Sequence, residues 1–223
     1  MVEITWDAEE DRIYETGVDH GVLYIPNAGE YDNGVAWNGL TSIAESPSGA
    51  EASPVYADNM KYLNLTSVEE FGGTIEAITF PDEFYQFDGG AVIKGGIVIG
   101  QQNRAKFGLS YRTLIGDAVV GDQKGYKLHI VYGAQAAPSE RTHNTVNDTP
   151  ETETFSWEFT TTAVQITGHK PTASITIDST KVVPAELAAL EALLYGDTDT
   201  DPSLPLPDAL IALFPTSGTV VGG

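Results

Sequence analysis

Apolar and polar residues alternate with a period of two through the middle of this chain. Tyr126, Leu128, Ile130 and Tyr132 share one face, with Lys127, His129 and Val131 on the other. Phe155, Trp157 and Phe159 alternate with Ser156, Glu158 and Thr160. Phe107, Leu109, Tyr111 and Ile115 alternate with Gly108, Ser110, Arg112 and Leu114. Alternation of this length predicts antiparallel strands with one face packed and one in water. Further strands are expected at 73–80 and 172–178, and shorter ones at 21–25, 38–43 and 61–65.

Three segments carry helix signals instead. Residues 183–196 have Pro184 near the start, Ala and Leu through the body and Gly196 as a stop, and 207–214 form a shorter apolar run. In 66–73, Thr66 or Ser67 can cap a first turn holding Glu69 and Glu70, with Gly72 as terminator. Long polar stretches at 45–59 and 134–151 separate the strands. Connections of that length are uncommon in a compact domain and commonly serve as functional or interacting arms. Residues 1–214 are therefore expected to form a single domain, mainly β with one or two short helices, followed by a flexible tail at 215–223.

At 223 residues the chain can bury a real core. Its net charge of −21, from 32 acids and 11 bases, opposes a phosphate-binding surface and an anionic membrane. The charge is uneven: residues 1–90 hold 18 acids and two bases, whereas 91–141 hold seven bases and three acids. Arg104, Lys106 and Arg112 lie in a stretch with no acid before Asp117. They are read as the positive half of contacts with the acidic first 90 residues, within one subunit or between copies.

Cysteine is absent, which excludes disulfides and thiolate metal sites. The opening residues have no basic and apolar leader pattern and no apolar run reaches membrane-spanning length, so synthesis and folding in a cytoplasm are expected. On that basis the sequons at Asn64 and Asn147 are chance.

Little in the chain points to catalysis. His20, His129, His143 and His169 show no metal-binding spacing, and no nucleophile elbow, phosphate loop or dinucleotide fingerprint occurs. Asp197, Asp199, Asp201 and Asp208 match calcium-loop positions in type, but Pro202 stands where that loop needs Gly, which favours a solvated acidic loop. Trp6, Trp37 and Trp157 could form a sugar platform, although Trp157 lies on the apolar face of its strand. Neither an enzyme nor a cofactor is expected.

An ordered series of segments carries a resemblance. "GVAWNGLTSIAESPSGAEASPVYADNMKYLNLTSVEEFGGTIEAITFPDEF" (34–84), "IGQQNRAKFGLSYRTLIGD" (99–117), "GYKLHIVYGAQAAPSERTHNTVNDTPETETFSWEFTTTAV" (125–164), "GHKPTASITIDSTKV" (168–182), "LAALEALLYG" (187–196) and "LPLPDALIALF" (204–214) together resemble the major tail tube proteins of long non-contractile phage tails. Residues 84–96 are less typical, and the cysteines common in the family's middle segments are missing.

The resemblance implies a β-sandwich with a flanking helix. Six copies would form a ring in which the inner sheets join into one β-barrel around a channel, and rings would stack into a tube. Such a tube is assembled in the bacterial host cytoplasm around the tape-measure protein, is bounded by tail-tip and tail-terminator proteins, and becomes part of the virion tail. Double-stranded DNA then passes through it without specific binding. Under this reading the wet strand faces nominate Glu76, Glu158, Thr160 and Thr162 as channel lining, though alternation leaves open which water a wet face meets. The competing expectation is a monomeric or small-oligomer β-sandwich binding module for carbohydrate or calcium.

Overall fold

The computed structural model describes residues 8–146, 148 and 152–214, with Ile4 and Trp6. The tail at 215–223 and the sequon residue Asn147 lie outside the described residues.

In chain order the strands are β1 (Tyr14–Asn27), β2 (Glu30–Trp37), β3 (Leu40–Glu45), β4 (Ala52–Ala57), β5 (Met60–Thr66) and β6 (Gly72–Ala77). They continue as β7 (Ala91–Lys94), β8 (Ile97–Ile99), β9 (Phe107–Asp117), β10 (Gly121–Ala136), β11 (Phe155–Thr161) and β12 (Ser174–Asp178). Helices α1 (Pro184–Tyr195) and α2 (Pro207–Ala212) follow, and a 3-10 turn spans Asp82–Gln86. The protein is thus mainly β, with two short α-helices.

Eight strands form one antiparallel sheet in the order β2-β1-β9-β10-β11-β6-β3, with β12 also on β10. The 16-residue β10 organises it. One of its edges pairs with β9, while the other holds β12 along 127–131 and β11 along 134–136. Gly133 sits at the changeover with φ 59°, where a Cβ would lie 2.5 Å from the Thr162 carbonyl oxygen. A side chain is excluded there on both conformational and steric grounds.

Both faces of the part of this sheet around β1, β9 and β10 are packed. On one, the strands curl so that Leu23, Leu109, Tyr111 and Val131 meet Ile75, Trp157 and Phe159, with Phe84 and Phe87 filling the interior. On the other, Tyr24, Leu128, Ile130 and Tyr132 pack against Leu187, Leu190 and Leu194 of α1 and Leu210 of α2. The i, i+3, i+7 spacing of those α1 leucines gives the helix one apolar stripe. Tyrosines tie this layer down. The Tyr24 hydroxyl donates to the Leu194 carbonyl at 2.9 Å, and the Tyr132 hydroxyl to the Pro205 carbonyl at 2.8 Å.

Three expectations change. The second face of β9 is not wet along its first half: residues 107–111 are all buried. Gly108 and Ser110 are small because the helical layer lies over them, and a Cβ on Gly108 would come 2.7 Å from Leu204. Residues 66–73 form no helix. Ser48 and Glu70 exchange backbone hydrogen bonds of 2.8 Å, and Gly72 enters β6, so tertiary pairing overrides a local helix signal. The polar 45–59 segment is not strand-free, because residues 52–57 form β4, which pairs with β5. Strand β10 likewise runs into 134–151 as far as Ala136.

The β3–β6 and β4–β5 ladders belong to one ribbon. Beyond the β3–β6 ladder, the Ser46 amide donates to the Gly72 carbonyl, the Ser48–Glu70 pair follows, and β4–β5 runs out to an Asp58-Asn59 turn. Asp58 and Asn59 have φ of 51° and 62°, the left-handed pair expected of a two-residue hairpin turn. Within one chain the main sheet does not close into a barrel: β3 ends it, with no ladder to β1.

Candidate functional site

Beyond the curled core, β3, β6 and β11 present their other face outward. In one row Ser42 and Ser156 flank Glu76, and in the next Ala44 and Glu158 flank Thr74. Thr160 follows opposite Gly72. Alternation builds this face: Trp157 and Phe159 point into the core, which sends Glu158 and Thr160 outward. The Ser42 hydroxyl donates to Glu76 at 2.8 Å and fixes that carboxylate on the face. Glu76, Glu158 and Thr160 are therefore brought together. Thr162 lies just past β11, where its hydroxyl accepts from the Lys106 ammonium at 2.8 Å. Lys106 thus sits at the margin of this face, hydrogen-bonded to a hydroxyl and with no ion pair to an acid among the described residues.

The two arginines of the basic stretch find acids in their own chain. Arg112 stands opposite Asp19 in the β1–β9 ladder and binds it through two hydrogen bonds of 2.9 and 3.2 Å. Its guanidinium also lies 4.6 Å from the Tyr126 ring centre and reaches His20 Nδ1 at 2.9 Å. A guanidinium only donates, so Nδ1 accepts. Burial pushes the Asp19 carboxyl upward, but the hydrogen bonds and charge of Arg112 outweigh it and hold the group below its ordinary range. Arg104 donates to the Asp88 carbonyl at 3.1 Å and lies 4.0 Å from its carboxylate. Arg141 also pairs with Asp88, and its guanidinium lies over Phe80 and Phe155, fastening residue 141 of the long connection after β10.

A polar cluster that the sequence did not single out marks the base of the ribbon. His129 Nδ1 lies 3.3 Å from Glu45, the last residue of β3, and the Tyr111 hydroxyl donates to the same carboxylate at 2.6 Å. The Tyr111 and His129 rings stack at 4.7 Å, and His129 Nε2 meets the Thr113 hydroxyl at 2.9 Å. The hydrogen bond from His129, reinforced by Tyr111, holds Glu45 below the usual glutamate range despite partial burial. Burial, followed by the hydrogen bond to Glu45, pushes Tyr111 up. These residues are 84 positions or fewer apart in sequence only as isolated polar letters, and no spacing links Glu45 to His129.

The calcium candidates do not converge. Asp197 accepts from the Asp199 amide at 2.8 Å, while Asp208 binds the amide and hydroxyl of Thr167 at 2.9 and 2.7 Å. Among the described residues no group of three or more acids and histidines is arranged to hold a metal. Trp37 and Trp157 meet edge to face in the core at 5.7 Å, so they cannot form an exposed sugar platform with Trp6. A cavity of about 440 Å³ between β1, β2 and the end of α1 is lined by His20, Val22, Trp37, Leu194 and Tyr195. No protein-family model matches the chain, and no curated protein matches it.

Proposed function

We propose that this protein is a structural tail tube subunit of a long-tailed bacteriophage, which assembles as stacked hexameric rings around the tape-measure protein. The supporting observation is the outward face of β3, β6 and β11. It is a polar sheet face carrying Glu76 and Glu158 among serines and threonines, on a sheet whose last strand, β3, has no ladder on its outer edge among the described residues. An unpaired edge invites a strand from another chain, and a ring of such pairings removes every edge. A contact of this head-to-tail kind closes into a ring when its rotation permits, and rings stack without limit.

In such a ring the acidic face lines the channel. Six copies multiply the formal charge of −21 sixfold, and the part within about 8–10 Å of the lumen repels phosphate at physiological salt. Pairing Arg112 with Asp19 and Arg104 with Asp88 removes two cations that would slow DNA. Tail-tip and tail-terminator proteins would bound the tube, in the virion tail built in the host cytoplasm. The binding-module reading lacks comparable support, because the aspartates it relies on do not converge and Trp37 and Trp157 are buried against each other in the core.

Negative-stain microscopy of the purified protein at rising concentration tests the proposal. Rings or hollow tubes are expected. A protein that stays monomeric, even with tail-initiator proteins present, would overturn it.

A further inference from the structure

Two hairpins of this chain carry exposed apolar residues and join neither core. In β4–β5, the cross-strand pair Val55–Leu63 and the nearby Leu65 share one ribbon face, all exposed. In β7–β8, Val92 faces Val98, with Ile93 and Ile97 toward the tip, again all exposed. No residue of 52–66 or 91–99 belongs to or packs against either core cluster. Exposed apolar side chains grouped on two hairpins mark contact surfaces.

Their surroundings are opposite in charge. The acids Glu51, Glu69 and Glu70 flank the base of the β4–β5 hairpin, and none has an ion-pair partner among the described residues. The only cation between 46 and 70 is Lys61. The β7–β8 hairpin carries Lys94, also without an ion pair among the described residues, and residues 89–106 contain no acid. Each hairpin therefore offers what the other needs: apolar area to cover, and charge of the opposite sign beside it. A contact between unlike patches of identical chains is head-to-tail, so it propagates from copy to copy.

We infer that the β4–β5 hairpin of one copy seats on the β7–β8 hairpin of the next. The occupant of each surface is a second copy of this chain. This contact does not depend on the tube reading, and the two can fail separately.

The absence of cysteine allows a direct test. Leu63→Cys and Val92→Cys are made singly, both at exposed positions, and their folding is checked by circular dichroism. The two subunits are mixed dilute, concentrated, and treated with a short bismaleimide, and the cross-linked peptides are identified by mass spectrometry. Links between position 63 of one chain and position 92 of another should exceed 63–63 and 92–92 links at least tenfold. Adding Lys94→Glu to the Val92→Cys subunit should lower that yield several-fold. Equal yields of all three links, or no link because the subunits stay apart, would overturn the inference. Tubes without the 63–92 link would leave the tube reading standing and remove this contact. The link in short oligomers that never form tubes would do the reverse.

Discussion

Arg112 and Asp19 face each other across the β1–β9 ladder and are joined by two hydrogen bonds, at a point where the register shifts on both sides. The ladder is irregular there, so the side-chain fork helps to hold two strands that backbone pairing holds less evenly. Arg112→Ala should lower unfolding stability by about 1–2 kcal/mol, between the values for exposed and buried pairs, since Asp19 remains partly in water. Arg112→Lys should recover only part of that, having lost the fork and the stacking on Tyr126. Urea unfolding measures both. An Arg112→Ala subunit of unchanged stability that fails only to associate would instead make Arg112 a contact between copies.

Tyr24 is fully buried, and its hydroxyl joins the sheet to the end of α1 through Ser110 and the Leu194 carbonyl. Tyr24→Phe keeps the ring and leaves that carbonyl without its donor. A loss of about 1–2 kcal/mol is expected, because an unmet buried acceptor costs more than the bond itself contributes. An unchanged denaturation midpoint would mean that packing alone secures the helix.

Glu45 ties the base of the ribbon to His129 and Tyr111, and its carboxyl is held below the ordinary range. A depressed folded value means that the carboxylate stabilises the protein fully above the unfolded value, about 4.3 for a glutamate, and that this is lost as pH falls through the folded value. Glu45→Gln should therefore be less stable than the parent at neutral pH, and the gap should narrow as the pH drops below the ordinary glutamate range. Thermal melts at a series of pH values test this. A gap that stays constant into acid would exclude the ionised carboxylate as its source.

Glu158 is exposed on the polar face, so Glu158→Lys should fold and assemble normally. If Glu158 lines the channel of a tube as proposed, the variant should impair DNA ejection from a virion more than tube formation, by adding a cation to the wall. Normal ejection would remove Glu158 from the lining.

Legibility in the sequence followed how each element is buried. Strand β11 was plain, because Phe155, Trp157 and Phe159 enter one core while their neighbours meet water. Strand β4 was invisible, since 52–57 is a Ser- and Pro-containing segment exposed nearly throughout, with no buried face to impose a pattern. The second face of β9 looks wet in the sequence because Gly108 and Ser110 count as polar, whereas they are small to admit Leu204 and to bond Tyr24. The outward acids on β6 and β11 could be nominated from alternation, but their shared face depends on the β6–β11 register. The cluster at Glu45 depends on three strands meeting, which no local spacing announces.

The central claim is that the face bearing Glu76 and Glu158 lines a channel. A three-dimensional cryo-electron microscopy reconstruction of the assembled protein measures this directly. The account predicts a hollow ring or tube with β3, β6 and β11 innermost and both glutamates toward the lumen. An assembly that turns this face to the outside, or a solid particle with no lumen, would contradict it.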